Sequence, residues 1–244
     1  MDTKSAARTL DIFEIFAKAK RPLTLTEVAR RLESPVSSCF QLVKTLERRG
    51  YVFSLGPRRG LYPTKRMSHL FEAITRHDPL KLIFQSALNE LQETTGETAV
   101  LAQQAEERVI ILDAQESTER VRYSPQIGEF HEFHSTAVGK AILGAISENE
   151  RNKVFGLLTL ERFTDATIFD RGALEEELAR GRERGWHVSR GENIPDLCAV
   201  GASVIINGQI FALGLGGPFH RFITEVDRHA AALVKVVADL EQLN

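Results

Sequence analysis

The chain has 244 residues, of which 43% are hydrophobic and 26% are charged, a composition that is typical of globular proteins and excludes an intrinsically disordered one. No apolar run reaches about 18 residues, so no membrane-spanning helix is expected. The first residues lack the apolar core of a signal peptide, and two widely separated cysteines predict no disulfide framework, so a reducing cytoplasm is the expected location.

The net charge of −2 conceals an uneven distribution of charge along the chain. Residues 1–68 contain 14 Lys and Arg and 6 Asp and Glu, a net charge of +8, whereas the rest of the chain contains 17 and 27, a net charge of −10. A basic first quarter that is joined to an acidic body indicates a polyanion-binding head on a separate domain. The chain is long enough for two such domains.

The first elements in chain order are three short helices. Apolar residues at helical spacing predict the first helix over residues 5–19. Thr24 followed by Glu27 matches a capping box, in which each side chain bonds the backbone N–H of the other residue, and this pattern starts the second helix. Ser34 as N-cap and Pro35 as first helical residue predict the start of the third.

A β-hairpin follows the third helix, which Gly50 is expected to end. Two short runs rich in aromatic and β-branched residues flank GPRRG, and this pattern predicts two strands joined by a basic tip. Three helices and a basic hairpin predict a winged helix-turn-helix DNA-binding domain over residues 1–66. Within it, the helix-turn-helix is expected at about residues 24–49 and the wing at about residues 51–63.

The third helix is predicted to read double-stranded DNA. Projection at about 100° per residue gives it an apolar side that should face the core, formed by Val36, Cys39, Leu42, Val43 and Leu46. The opposite side is short of cations, but Ser can bond any base edge and Gln can pair with adenine. The residues expected to contact DNA are Ser37, Ser38, Gln41, Lys44, Thr45 and Arg48, with Arg58 and Arg59 at the wing tip.

From residue 67 onward the pattern becomes that of an acidic α+β domain. A linker helix is expected over 67–78, followed by a second domain over 79–244. Its strand candidates are residues 97–105, 107–115, 120–124, 186–189, 197–206 and 209–217, and its helices are expected near 79–95, 136–146, 147–158, 171–184 and 221–243. Helices that flank a mostly antiparallel sheet indicate a sensor-like domain.

The stretch HSTAVGKA, residues 134–141, is the candidate binding site of this domain. It resembles the end of a P-loop but lacks the glycine and the hydroxyl residue that phosphate and magnesium require, so nucleotide hydrolysis is excluded. A polar loop before a helix leaves unpaired N–H groups, which would attract a small carboxylate at Ala137 and Val138. An ordinary helix capped by Ser135 or Thr136 explains the stretch equally well.

A metal site and an enzyme are the alternatives. His131 and His134, together with Cys198, could hold a metal ion, so a metal-responsive regulator stays an alternative, although no fourth ligand is evident and no cofactor is expected. The chain has no G-x-S-x-G, no H-E-x-x-H and no paired cysteine motif, and nothing assembles a nucleophile with its base. We therefore do not expect an enzyme.

Over nearly its full length the sequence resembles the IclR family of bacterial transcriptional regulators. The matching stretches are ARTLDIFEIFA, RPLTLTEVARRL, TLERRGYV, TTGETAVLA, HSTAVGKAIL, RERGWHVSRGE and GGP. The resemblance implies an N-terminal winged helix-turn-helix, a linker helix and a C-terminal GAF-like effector-binding domain. It also implies a homodimer or homotetramer that binds operator DNA and a small organic acid and controls a catabolic operon, more often as a repressor than as an activator.

The resemblance also implies where the effector lies. The residues at the matching positions are His134, Ser135, Thr136, Ala137, Val138, Gly139, Ser189, Ala199, Gly214 and Gly216. Acid-binding relatives have an acidic residue in place of Ser189, a cysteine near Ala199 and serines at the two glycine positions. The glycines should leave more room, lined by Phe130, Phe133, Phe211, His131 and His134, so we expect an effector bulkier than a two- or three-carbon acid, such as an aromatic carboxylate.

Overall fold

The computed structural model describes residues 3–56 and 59–242, and the chain forms two compact units that divide after Pro79. The expected DNA contact Arg58 lies outside the described residues. Each unit has a hydrophobic core of its own. Within the described ranges, no helix combines the length and the apolar character that crossing a membrane requires.

The first unit consists of three helices, a two-stranded hairpin and a fourth helix. Its elements are α1 Lys4–Ala19, α2 Leu25–Arg31, α3 Val36–Arg48, β1 Val52–Ser54, β2 Leu61–Pro63 and α4 Arg66–Thr75. Ile12 of α1, Val28 of α2 and Val43 of α3 are buried in one apolar cluster, which holds the three helices together. β1 and β2 pair antiparallel. The predicted winged helix-turn-helix is confirmed.

The local signals at two helix ends are present as predicted. The backbone N–H of Thr24 donates to the Glu27 carboxylate over 2.8 Å, and the N–H of Glu27 donates to Oγ1 of Thr24 over 3.3 Å. These bonds satisfy N–H groups that the first turn of α2 leaves without partners inside the helix. Gly50 follows α3 with a φ of +76°, a left-handed conformation that glycine adopts without strain.

The predicted start of α3 is wrong by one residue. Pro35, not Ser34, is the N-cap, and it offers no side-chain hydrogen bond. The Ser34 hydroxyl is buried without a hydrogen-bond partner among the described residues, while its backbone N–H donates to the carbonyl of Ala29. Ser34 therefore belongs to the turn that closes α2, and the helix begins at Val36.

The second unit is an antiparallel sheet flanked by helices, as predicted. Its elements are α5 Pro79–Thr95, β3 Thr98–Ala105, β4 Arg108–Gln115, β5 Phe130–His131, α6 Ala137–Ala145, α7 Glu148–Leu157, α8 Arg171–Arg184, β6 His187–Arg190, β7 Leu197–Ile206, β8 Gln209–Pro218, α9 Phe219–Phe222 and α10 Val226–Gln242. The strands lie in the order β5-β4-β3-β8-β7-β6. One core cluster joins α5 and α10 to the sheet, and another joins α6, α7 and α8 to it.

Two predicted elements of this unit differ from the structure. Residues 120–124 form no strand but belong to the loop between β4 and β5, where the carbonyl of Tyr123 accepts a hydrogen bond from the side chain of Thr98 over 2.6 Å. The backbone of this loop bonds a side chain instead of a neighbouring strand, which a strand-like sequence does not reveal. The closing helix expected from residue 221 is interrupted by a 3-10 turn over Ile223–Glu225.

Candidate functional site

The polar side of α3 faces solvent. The predicted contacts Ser37, Gln41, Lys44, Thr45 and Arg48 are exposed, Ser38 is half-buried, and Arg59 of the wing is exposed. Cys39, Val43 and Leu46 on the opposite side are buried in the core of the first unit. The helix therefore presents to solvent the side that was predicted to contact DNA.

The predicted DNA contacts on α3 differ in the hydrogen bonds and ion pairs that they form within the protein. Lys44 Nζ donates to Glu47 Oε2 over 2.7 Å, which balances part of its charge. The Thr45 hydroxyl donates to the backbone carbonyl of Gln41 over 2.9 Å. The side chains of Ser37 and Gln41 form no hydrogen bond within the described part of the chain. Their polar atoms are therefore free to bond base edges, whereas Lys44 would first have to leave Glu47.

The predicted apolar side of α3 needs one correction. Val36 is 47% exposed, because it is the first residue of the helix and lies beyond the part that the core covers. Phe40 is 42% exposed, although it too is apolar. Apolar side chains beside the polar side of a recognition helix can contact thymine methyl groups when such a helix lies in the major groove.

A cavity of about 50 Å³ lies in the second unit, between the start of α6 and the sheet. The predicted effector residues that line it are Ser135, Thr136, Ala137, Val138, Ser189, Ala199, Gly214 and Gly216. The others that line it are Val100, Ile111, Tyr123, His131, Asn193, Ile194, Leu197, Val200 and Leu215. The structure thus brings most of the predicted effector residues together around one cavity.

His134 and Gly139 were also predicted to contact the effector but do not line the cavity. The buried ring of His134 donates through Nε2 to the carbonyl of Glu161 over 2.9 Å and stacks on Phe163. The backbone N–H of Gly139 donates to Oγ1 of Thr136 over 3.2 Å. Both residues therefore support the loop before α6 instead of facing the cavity.

The start of α6 leaves backbone N–H groups unpaired in residues that line the cavity. Thr136 is the N-cap, and its hydroxyl accepts only from Gly139. The N–H groups of Ala137 and Val138 form no hydrogen bond within residues 3–56 and 59–242, and both residues line the cavity. Such groups carry the partial positive charge of a helix start, so the capped helix also offers a place for an anionic group.

Hydrogen bonds fix the loop before α6 to β6 and to the loop after β6. The Ser189 hydroxyl donates to the carbonyl of Ser135 over 2.8 Å, and Asn193 Nδ2 donates to the Ser135 hydroxyl over 3.0 Å. Ser189 lies in β6, and Asn193 lies in the loop after it. The Ser189 hydroxyl therefore holds the loop before α6 against β6 and adds no negative charge to the cavity.

A buried ion pair ties α6 to the same loop. Lys140 Nζ donates to Glu192 Oε1 over 2.6 Å and to the carbonyl of Val188 over 2.9 Å. Burial lowers the pKa of Lys140 and raises the pKa of Glu192, while the attraction between the two groups opposes both shifts. The pair joins three segments that line the cavity: the start of α6, the end of β6 and the loop after β6.

Side chains of the protein occupy the space that Gly214 and Gly216 were expected to leave for an effector. A methyl group at Gly216 would lie 3.0 Å from the ring of Tyr123, and one at Gly214 would lie 2.6 Å from the side chain of Val138. The glycines therefore accommodate side chains of the protein itself. This filling explains why the cavity is small.

The expected lining of aromatic residues and histidines is also largely wrong. Phe133 and Phe211 are buried in the two core clusters, and Phe130 lies under the guanidinium of Arg108. His131 is the one member of the expected set that lines the cavity in the described part of the chain. These aromatic side chains stabilise the fold and do not enlarge the site.

The polar groups that face the cavity are neutral. Burial lowers the pKa of His131, whose Nε2 finds no hydrogen-bond partner among the described residues. Burial and the nearby Glu129 carboxylate raise the pKa of Tyr123 to about 12, so its phenol stays protonated. No Lys or Arg lines the cavity in the part of the chain that the structure describes. An anion in this cavity would be held by hydrogen-bond donors and not by a full positive charge.

The candidate metal ligands His131, His134 and Cys198 do not form a metal-binding group in the described part of the chain. Across residues 3–56 and 59–242, no three His, Cys, Asp or Glu side chains converge where one ion could bind them. His134 is engaged with Glu161, and burial raises the pKa of the Cys198 thiol to about 11, which opposes the thiolate that a metal needs. No geometric observation favours a metal-responsive regulator.

Sequence reasoning missed Tyr123, Asn193 and the Lys140–Glu192 pair. Tyr123 stands in a stretch whose sequence predicts a strand, and Asn193 and Glu192 stand in a loop. Lys140 and Glu192 are 52 positions apart, so no local pattern connects them. The one available signal is the polar stretch GEN between two predicted strands, which marks a loop at one end of the sheet.

Two family descriptions match the chain. Residues 5–54 match the IclR helix-turn-helix domain. Residues 72–241, more than half of the chain, match the C-terminal domain of bacterial transcriptional regulators of the IclR type. The chain belongs to the IclR family. This IclR-family protein is therefore a DNA-binding transcriptional regulator with an effector domain, and the family is not one of enzymes.

Individual relatives agree with this assignment. The IclR-family protein is 30% identical over 213 residues to the HTH-type transcriptional regulator BhcR of Paracoccus denitrificans, a match that covers 86% of this chain and 76% of the relative. It is 26% identical over 242 residues to the transcriptional repressor IclR of Escherichia coli, with 97% and 88% covered. It shares its fold, at 20% identity and a TM-score of 0.79 over 98% of each chain, with an IclR homologue from Microbacterium hydrocarbonoxydans that was crystallised with 4-hydroxybenzoate.

Proposed function

We propose that this protein is a ligand-responsive repressor of a catabolic operon. It binds operator DNA through α3 and the wing, and it binds a small organic acid in the cavity of the second unit. The observation that carries the effector half of the proposal is that Ala137 and Val138, whose N–H groups are unpaired, both line that cavity. Because operator DNA lies in the cytoplasm, the function implies a cytoplasmic location.

The size and lining of the cavity favour a small aliphatic acid. A cavity of about 50 Å³ with mostly apolar walls suits a short carbon chain. The carboxylate would accept hydrogen bonds from the start of α6, and His131 and Asn193 are further neutral donors within the lining. A relative of the same fold binds 4-hydroxybenzoate, so an aromatic acid is the competing candidate.

A dimer is part of the proposal. No residue of α4 is buried in the described chain, and its apolar Leu70, Phe71 and Ile74 are 40%, 56% and 66% exposed. An apolar helix face of this kind is typical of an interface, and a second copy would place two recognition helices on two half-sites of a palindromic operator. Pairing of dimers would give a tetramer.

The response to effector would be a population shift. Residues 67–78, the predicted linker helix, contain most of α4. Effector binding would favour one arrangement of the dimer, and the linker helices would change the spacing of the two DNA-binding units. Operator affinity changes because each arrangement fits the two half-sites differently.

Gln41→Ala tests the base-reading role of α3. The exposed Gln41 amide is free to bond an adenine edge, so its loss should weaken binding to the preferred duplex by about 1–3 kcal/mol and relax one base position. The preferred duplex would be selected from a random-sequence library. Fluorescence anisotropy titrations on that duplex and its single-base variants measure both effects.

Arg59→Ala is the matched control for this variant. Arg59 is an exposed cation in the wing, and phosphate contacts from such a residue carry no sequence information. It should weaken the selected and unrelated duplexes alike, as should Arg58→Ala. An unchanged base preference in Gln41→Ala would show that α3 does not read DNA through this side chain.

A further inference from the structure

We propose that Tyr123 sets the upper size limit of the effector, by filling the part of the cavity that an aromatic ring would need. The proposal rests on the proposed function, that is, on an organic acid as the ligand of this cavity. Tyr123 lies in the loop between β4 and β5. This loop is separate from the start of α6 and from strands β6, β7 and β8, which contain the predicted effector residues.

The ring of Tyr123 lies directly against the sheet at Gly216. A methyl group at Gly216 would lie 3.0 Å from Cδ1 of this ring, closer than side chains normally approach. Across the strands Gly216 pairs with Ala199, another small residue. Two small residues on neighbouring strands therefore form a shallow recess in the cavity wall, and the aromatic ring of Tyr123 occupies it.

The remaining space is too small for a second ring. The cavity measures about 50 Å³ with Tyr123 in place. A buried cavity that admits benzene measures about 150 Å³. An aromatic carboxylate would therefore have to displace Tyr123, whereas a short aliphatic acid would not.

Two sets of hydrogen bonds hold Tyr123 in position. Its carbonyl accepts from the buried Thr98 hydroxyl over 2.6 Å. Two residues earlier, the carbonyl of Val121 accepts from two nitrogens of Arg221, each at 3.3 Å. Arg221 is itself held by a bidentate pair with the buried Glu97, at 2.7 and 2.8 Å. These bonds fix the backbone of Tyr123, and the contact of its ring with Gly216 places the ring against the sheet as a wall of the cavity.

The bulk of the ring, and not its hydroxyl, is what limits the effector. The phenol group forms no hydrogen bond within the described part of the chain. Tyr123→Phe should therefore exclude the same ligands as the unchanged protein, whereas Tyr123→Ala should open the recess beside Gly216. Val121→Ala removes an exposed side chain from the same loop without touching the cavity and serves as the matched control.

Calorimetry with four acids on the full chain tests the assignment. The unchanged protein, Tyr123→Phe and Val121→Ala should bind pyruvate or propionate and should not bind benzoate or 4-hydroxybenzoate. Tyr123→Ala should gain benzoate binding by at least about tenfold, the scale on which pockets discriminate by a few carbon atoms. Thermal melting verifies folding, and Tyr123→Leu replaces the alanine variant if that one does not fold.

Two results would overturn the role of Tyr123. One is binding of benzoate by the unchanged protein as tightly as by Tyr123→Ala, and the other is a folded Tyr123→Ala that binds the small acids but gains no aromatic one. Failure of every variant to bind any of the four acids would be a different result. It would contradict the proposed effector class itself and, with it, the assignment of Tyr123.

Discussion

Lys140→Ala is expected to destabilise the second unit by about 3–5 kcal/mol, the cost of leaving one member of a buried ion pair without its partner. Lys140 is fully buried and Glu192 is 6% exposed, so the remaining Glu192 carboxylate would have neither water nor a cation beside it. Urea denaturation followed by fluorescence of Trp186, the single tryptophan, measures the free energy of unfolding of this unit.

Two further variants make this result specific. Lys235→Ala breaks an exposed pair with Glu90, at 2.9 Å, and should cost far less stability than Lys140→Ala, because water screens exposed ion pairs. The double variant Lys140→Met/Glu192→Leu leaves no unpaired charge and should recover most of the lost stability. If the double variant is as unstable as Lys140→Ala, the unpaired charge is not the cause of the loss.

Acid is expected to destabilise the second unit through His187. Burial, followed by the nearby charges of Arg184 and Lys140, lowers the pKa of His187 from its ordinary 6.5 to about 4. Between these values the unfolded chain binds the proton and the folded one does not. Stability is therefore complete above pH 6.5 and is lost as the pH falls toward 4, by about 3 kcal/mol in total.

His187→Phe isolates this contribution. The ring of His187 fills a narrow space, since a methyl group at Gly144 or Gly181 would collide with it, and phenylalanine keeps a ring there without a titrating group. Urea denaturation between pH 4 and 7 should show a shallower loss of stability in this variant than in the unchanged protein. An unchanged slope in His187→Phe would contradict the role of His187.

The parts of the fold that the sequence predicted are those that depend on near neighbours. Thr24 and Glu27 are three residues apart, and the bonds between them follow from helix geometry alone. The role of Gly50 also follows from its neighbours alone, because a helix commonly ends at a residue in the left-handed conformation and glycine adopts that conformation without strain. The start of α6 was predicted as a binding element on this basis, because unpaired N–H groups are a property of any helix start.

The parts that were missed depend on distant contacts. Tyr123 takes its place through Thr98, 25 positions away, and its ring depends on the absence of a side chain at Gly216. Gly214 and Gly216 indicate a place where the sheet carries no side chain, but the sequence does not reveal that Val138 and Tyr123 pack into that place. Ser34 likewise matches the pattern of an N-cap for α3. In the structure its backbone N–H donates to the carbonyl of Ala29, so Ser34 belongs to the turn after α2.

The measurement that tests the central claim most directly is operator binding with and without an acid. A duplex selected from a random library would be titrated with the full chain at several salt concentrations, in the absence and presence of pyruvate or propionate. We expect a palindromic duplex to be preferred, its affinity to fall steeply as salt rises, and the acid to change that affinity by about fivefold or more. Absence of any preferred duplex, or an operator affinity that no acid changes, would contradict a ligand-responsive regulator.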